Sequence, residues 1–114
     1  MIQLQYIVLR TNQLHAQATF YTQLGLQLEY RQHGNGALHY ASKSNPFFQI
    51  HPLLPNMQVD KSTRLGFFVS NLDELVKQLV IKGRTIVQGP KHLPWGYSAI
   101  VEDLDGRQVE LTQR

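Results

Sequence analysis

Two stretches of the chain carry apolar residues at helical spacing, and most of the remainder alternates apolar and polar positions with a period of two. In the first helical stretch Leu14, Ala18 and Tyr21, with Phe20 and Leu24, make one stripe. Asn12 is the expected N-cap and Gly25 the terminating residue. In the second, Leu72, Leu75, Val76, Leu79 and Val80 make the buried face, Ser70 or Asn71 caps, and Gly83 ends the helix. Strands are expected over residues 2–10, 26–32, 37–42, 47–51, 64–70, 85–87, 97–102 and 107–112. Asn35-Gly36 is the strongest short hairpin signal, Pro46 precedes the fourth strand, and Gly89-Pro90 reads as a turn. Asp105-Gly106 supplies the left-handed backbone that turns the last hairpin.

These elements fall into two copies of one order, β-α-β-β-β, at a spacing of about sixty residues. The echo is local as well: Leu-Arg-Thr-Asn-Gln-Leu precedes the first helix and Phe-Val-Ser-Asn-Leu-Asp the second. One such unit leaves a sheet face uncovered. Two copies, over residues 2–53 and 63–113 with 54–62 as linker, are expected to form a single α+β domain. Its eight-stranded mixed sheet would curl into a cup, with the helices outside and a pocket inside.

Composition narrows the partners. With 114 residues, 42% hydrophobic and 17% charged, the chain is an ordinary globular domain large enough for a core. No apolar run approaches 18 residues, so no membrane span is expected and a cytoplasmic location is the default. Cysteine is absent, which excludes disulfides, thiolate nucleophiles and thiolate-bound zinc and leaves the redox compartment open. The formal net charge of +3 comes from eleven scattered Lys and Arg residues with no basic run or helix face, so no nucleic-acid partner is expected.

Strand alternation divides each strand into a helix-facing and a pocket-facing set, which a one-residue slip would invert. Val109 and Leu111 suit the helix side, leaving Gln108, Glu110 and Thr112 facing the pocket. By the same rule Leu4, Tyr6 and Val8, then Phe47, Gln49 and His51, then Arg64, Gly66 and Phe68 face it too. A carboxylate in mid-strand, as Glu110 is, needs a partner or a task.

The closing hairpin, a hydrophobic strand followed by Asp103-Leu104-Asp105-Gly106 and a strand with Glu110-Leu111, resembles that of the vicinal oxygen chelate superfamily. That group includes glyoxalase I, the extradiol dioxygenases and the bleomycin-resistance proteins. The family form of the turn carries a proline that is missing here. The resemblance spans almost the whole chain and implies the same cup architecture. Metalloenzymes of this family hold a divalent ion with four side chains, mostly His and Glu, and the corresponding places here are Tyr6, Gln49, Arg64 and Glu110. Only Glu110 is an ordinary ligand, while Arg64 is a permanent cation.

No metal or other cofactor is therefore expected. Arg64 is expected to replace the ion electrostatically and to pair with Glu110 across the cup. The alternative is an exposed Arg64, with Glu110 satisfied by water or backbone. Of the five histidines, His15 is placed on the helix, His33 and His39 beside the Asn-Gly turn, and His92 in the loop 90–94. No two of the five have metal-like spacing, and the plainer reading of His51 is a surface or rim histidine. His51 shares a face with Gln49, and with Glu110 it would make half a metal site if the register slipped by two. Trp95 reads equally as a lid over a flat ligand or as a plug at the cup's edge.

The resulting expectation is a metal-free binding protein holding a small, anionic or neutral, aromatic organic molecule. Its contacts would be Tyr6, Phe47, Gln49, His51, Arg64, Phe68, Trp95 and Glu110, and its assembly a homodimer. The enzyme alternative is a metal-dependent lyase, isomerase or dioxygenase using Glu110 with His51 or Gln49. Metal-free proton transfer by Glu110 is a third course, and a module that pairs its sheet edges with another chain a fourth.

Overall fold

The computed structural model describes residues 1–43 and 47–114, with the side chain of Phe47 excluded. The readings made for Pro46 and for the Phe47 side chain lie outside the described residues. The chain divides into two compact units, Met1–Val59 and Asp60–Arg114.

In the first unit, β1 (Tyr6–Thr11), α1 (Leu14–Leu24), β2 (Leu28–Arg31), β3 (His39–Ser42) and β4 (Phe47–Pro52) follow the expected order. The sheet order is β1-β4-β3-β2, with β1 and β4 parallel and the other pairs antiparallel. Phe48 and Ile50 of β4 and Leu9 of β1 are buried with Phe20, Tyr21 and Leu24 of α1. The Tyr21 ring lies 4.9 Å from that of Phe48 and 5.1 Å from that of Phe20.

Asn12 does not cap α1. The helix begins after Gln13, which makes no side-chain cap hydrogen bond, while the Thr11 hydroxyl accepts the Gln13 N–H at 3.1 Å. Thr11 is buried and so holds its hydroxyl against the backbone, whereas Asn12 is exposed. Gly25 ends the helix as expected, in the left-handed region at φ 117°. Strands β2 and β3 are shorter than their alternation suggests. Arg31 pairs with His39, so Asn35-Gly36 falls inside a longer connection closed by the Gly36 N–H on the His33 carbonyl.

The second unit repeats the plan: β5 (Leu65–Val69), α2 (Leu72–Ile81), β6 (Ile86–Leu93), β7 (Gly96–Glu102) and β8 (Gln108–Gln113). Its sheet order, β5-β8-β7-β6, is that of the first unit position for position. The fold class is therefore α+β with two β-α-β-β-β modules, and hydrogen bonding divides the eight strands into two four-stranded mixed sheets. Leu72, Val76 and Leu79 of α2 are buried, as are Ala99 and Val101 of β7 and Val109 and Leu111 of β8.

Three expectations in this unit need correction. Val80 is exposed, because the buried stripe runs through Leu72, Val76 and Leu79 and the helix has turned past it by the next residue. Gly89-Pro90 is no turn but part of β6, which extends to Leu93 with register shifts on either side of Gln88. An edge strand tolerates the missing proline N–H, and the bulges absorb the irregularity. The neighbouring His92 thus lies in a strand, with its ring 4.6 Å from that of Tyr97. Neither Ser70 nor Asn71 caps α2 with its side chain; the Leu72 N–H is accepted by Gln113 Oε1 of β8 at 2.9 Å.

Candidate functional site

Glu110 sits in the middle of β8, opposite Gly66 of β5 on one side and Ile100 of β7 on the other. Its neighbours Val109 and Leu111 are fully buried against α2's side of the sheet, so alternation turns Glu110 to the opposite face. Two groups from elsewhere in the unit reach the same oxygen. The Trp95 indole N–H donates to Glu110 Oε2 at 3.3 Å, and an Arg64 guanidinium nitrogen lies 3.7 Å from it. The second contact is an ion pair longer than a hydrogen bond. It leaves donors of the guanidinium for other acceptors.

The ion pair differs from the one expected. Arg64 stands just before β5, the strand beside β8, so the two charges are sheet neighbours and not opposed across a cavity. The Arg64 side chain is 51% exposed and that of Glu110 22%, so the pair is not buried.

Trp95 reaches Glu110 because β6 and β7 are joined by the two residues Pro94 and Trp95, with Leu93 paired to Gly96. Gly96 has φ 141°, and a Cβ there would meet the Thr112 methyl at 3.0 Å, so the turn that presents the indole needs glycine on both counts. Gly66, Phe67, Phe68, Trp95, Glu110 and Thr112 line an open cleft of about 280 Å³. The Arg114 guanidinium lies 4.9 Å from the centre of the Phe68 ring, a cation–π distance. Two guanidiniums thus accompany one carboxylate at this face of the second unit.

What fixes Glu110 in register was not legible as a site. Arg107 is 1% exposed, and its guanidinium lies 3.2 Å from Asp103 and 3.2 Å from Asp105. Asp103 Oδ1 also accepts the backbone N–H groups of Asp105 and Arg107. The turn that reads as a simple Asp-Gly signal is a buried charged knot. The only hint in the sequence is a third charge two residues beyond Asp105.

In the first unit, His51 and Gln49 share the face opposite α1 and join each other: His51 Nε2 donates to the Gln49 amide oxygen at 2.6 Å. His39 is not a surface residue. It is 3% exposed, stacked on His51 with ring centres 4.2 Å apart, and His33 stacks on it at 5.2 Å. The β3 alternation, with Ala41 paired to Gln49, signals that placement. Burial, then the adjacent His39, Arg10 and His33, lowers the His51 pKa to about 4, so the ring is neutral at pH 7. Tyr6 is 53% exposed on β1. His15 hydrogen-bonds the Tyr40 hydroxyl at 2.8 Å, a contact on an exposed surface.

The repeated β-α-β-β-β plan agrees with a sequence comparison. The profile of the glyoxalase/bleomycin resistance protein/dioxygenase superfamily matches residues 3–111. The chain belongs to this superfamily. Solved structures that resemble it include the hypothetical protein SA1046 from S. aureus, 22% identical with a TM-score of 0.76 over 100% of this chain and 99% of that one. TnmS3, an antibiotic binding protein from Streptomyces sp. CB03234, is 23% identical with a TM-score of 0.76, covering 99% and 96%. A glyoxalase/bleomycin resistance protein from the same Streptomyces strain is 25% identical with a TM-score of 0.72, covering 95% and 97%. No curated protein gives a significant match.

The resemblance places Tyr6, Gln49, Arg64 and Glu110 at the metalloenzymes' ligand positions, and each can be weighed singly. Arg64 brings a fixed positive charge to the one carboxylate among them, Gln49 offers an amide oxygen already engaged by His51, and Tyr6 is a phenol. Among the described residues no three His, Asp or Glu side chains converge as a metal cluster would. Among the described residues no helix is long and apolar enough to cross a membrane.

Proposed function

We propose that this chain binds a small organic molecule without a metal ion, in the cleft beside Glu110, and that the ligand is a neutral or anionic aromatic compound. The observation that carries the reading is the double engagement of Glu110 Oε2 by Arg64 and Trp95. A carboxylate held by a guanidinium and an indole N–H is a polar anchor whose charge is already balanced, next to the apolar surfaces of Phe68 and Trp95. The second guanidinium, Arg114, tips the side-chain charge of this face toward anions. TnmS3, whose structure resembles this chain, is named an antibiotic binding protein, which supports a binding role.

Trp95 is the only tryptophan, so its emission reports on this cleft without labelling. Titration with benzoate, phenol and benzylamine should change that emission for the first two and leave it unchanged for the cationic amine. Arg64→Gln should weaken benzoate, and Trp95→Phe should remove the signal while calorimetry retains the heat of binding. A metal-dependent enzyme of the same superfamily would instead carry stoichiometric Ni, Zn, Fe or Mn on purification and lose thermal stability with chelator. That result, with Glu110 coordinating the ion, would overturn the proposal.

A further inference from the structure

Gly66 lies in the interior of β5, between Arg64 and Phe68 on the face that Glu110 shares, and it pairs directly with Glu110. Glycine weakens a strand, because it has the most backbone freedom to lose and no side chain to pack. Two structural reasons ordinarily justify it there, and neither applies. The residue does not adopt positive φ, so any amino acid fits its backbone. Among the described residues a Cβ built on it meets nothing within 4 Å, so none of them needs the space. Gly96, by contrast, meets both conditions a few residues from the same cleft.

What remains is the approach of something from outside the chain. Gly66 lines the cleft with Phe67, Phe68, Trp95, Glu110 and Thr112. At about 280 Å³ the cleft falls just below the usual range of ligand pockets, roughly 300–1,000 Å³, so the volume of one side chain is a large fraction of it. The residues flanking Gly66 on this face, Arg64 just before the strand and Phe68 within it, are both large, which makes the glycine a gap with walls. A flat ring laid on bare backbone there has aromatic surface beside it in Phe68 and Trp95. Its polar edge has Glu110 and the donors of Arg64 within the same face.

We infer that Gly66 determines ligand specificity: its missing side chain forms the floor on which a planar, conjugated organic acid lies. The inference rests on the cleft reading given above and adds the ligand's shape to it. A saturated, puckered acid of similar polarity lacks the flat face that seats against backbone, and a side chain at position 66 occupies the floor.

The test uses 2-naphthoate and trans-decalin-2-carboxylate as planar and puckered probes, with calorimetry for affinity and the indole N–H resonance of Trp95 for location. The unmodified protein should bind the planar acid at least about tenfold more tightly, with the Trp95 resonance moving. Gly66→Val should lose about tenfold or more in 2-naphthoate affinity, and Gly66→Ala should fall between the two. Both variants should melt at the same temperature or higher, since the Cβ meets open space and a β-branched residue favours a strand. Binding by both variants within about threefold of the unmodified protein would remove the inference and leave the cleft reading standing. A lowered melting temperature in both variants would show the glycine to be structural, and would also remove it. If neither probe moves the Trp95 resonance of the unmodified protein, the cleft reading fails and this inference with it.

Discussion

Replacing Arg107 with methionine tests whether the buried knot at the base of the last hairpin holds β8, and with it Glu110, in place. Methionine keeps much of the side chain's length and removes its charge. The guanidinium lies 3.2 Å from each of two carboxylates whose side chains are 0% and 3% exposed, so the variant strands Asp103 and Asp105 in a site that water does not reach. Breaking a buried ion pair by removing one partner costs about 3–5 kcal/mol, most of it the penalty of the charge left behind. With a urea m-value of about 2 kcal/mol per molar, the unfolding midpoint should fall by roughly 1.5–2.5 M.

Equilibrium urea unfolding followed by circular dichroism measures the shift, repeated at low and high salt because a buried pair is screened far less than a surface one. The variant Asp103→Asn, Asp105→Asn, Arg107→Met removes all three charges together and leaves an amide oxygen to accept the backbone N–H groups of residues 105 and 107. It should recover much of the loss, since a neutral replacement of a buried charge network is often near neutral. An Arg107→Met midpoint within about 0.3 M of the unmodified protein, or a triple variant worse than the single one, would refute the reasoning.

Three further outcomes follow from the same structure. Arg64→Ala should cost less than about 1 kcal/mol, because the Glu110 pair is half-exposed; a loss of 3 kcal/mol in a thermal or urea melt would show the pair to be buried after all. The His51 pKa is lowered from 6.5 to about 4, so the unfolded chain takes up its proton first and stability falls as pH drops from about 6.5 toward 4. The shift sets a ceiling of about 3 kcal/mol, and partial exposure of His51 reduces the expected loss to about 1. His51→Gln should flatten that part of the pH–stability curve, and an unchanged curve would assign the dependence elsewhere. Gln113→Ala should destabilise by roughly 0.5–2 kcal/mol through loss of the α2 cap, with Gln113→Glu retaining most of it; equal losses in both would remove the capping role.

Periodicity alone determined a great deal of this protein. Two helices, eight strands and their repeated order follow from spacing, because burial of one face imposes period 3.6 or 2 on any chain that folds this way. It also set the side of the sheet on which Glu110 and Gln49 stand, since Val109, Leu111, Phe48 and Ile50 must turn inward. What periodicity does not carry is distance between residues far apart in the chain. The partner of a Leu72 N–H is forty-one residues away in Gln113, and nothing local marks it. Arg107 looks like any charged residue after a turn until packing closes over it. His39 reads as the flank of a loop until β3 pairs with β4 and lays its ring on His51. The charges of Arg64 and Glu110 suggest a pair, but whether it is buried depends on which strands lie side by side. Strand adjacency is a property of the sheet, and only the tertiary structure decides it.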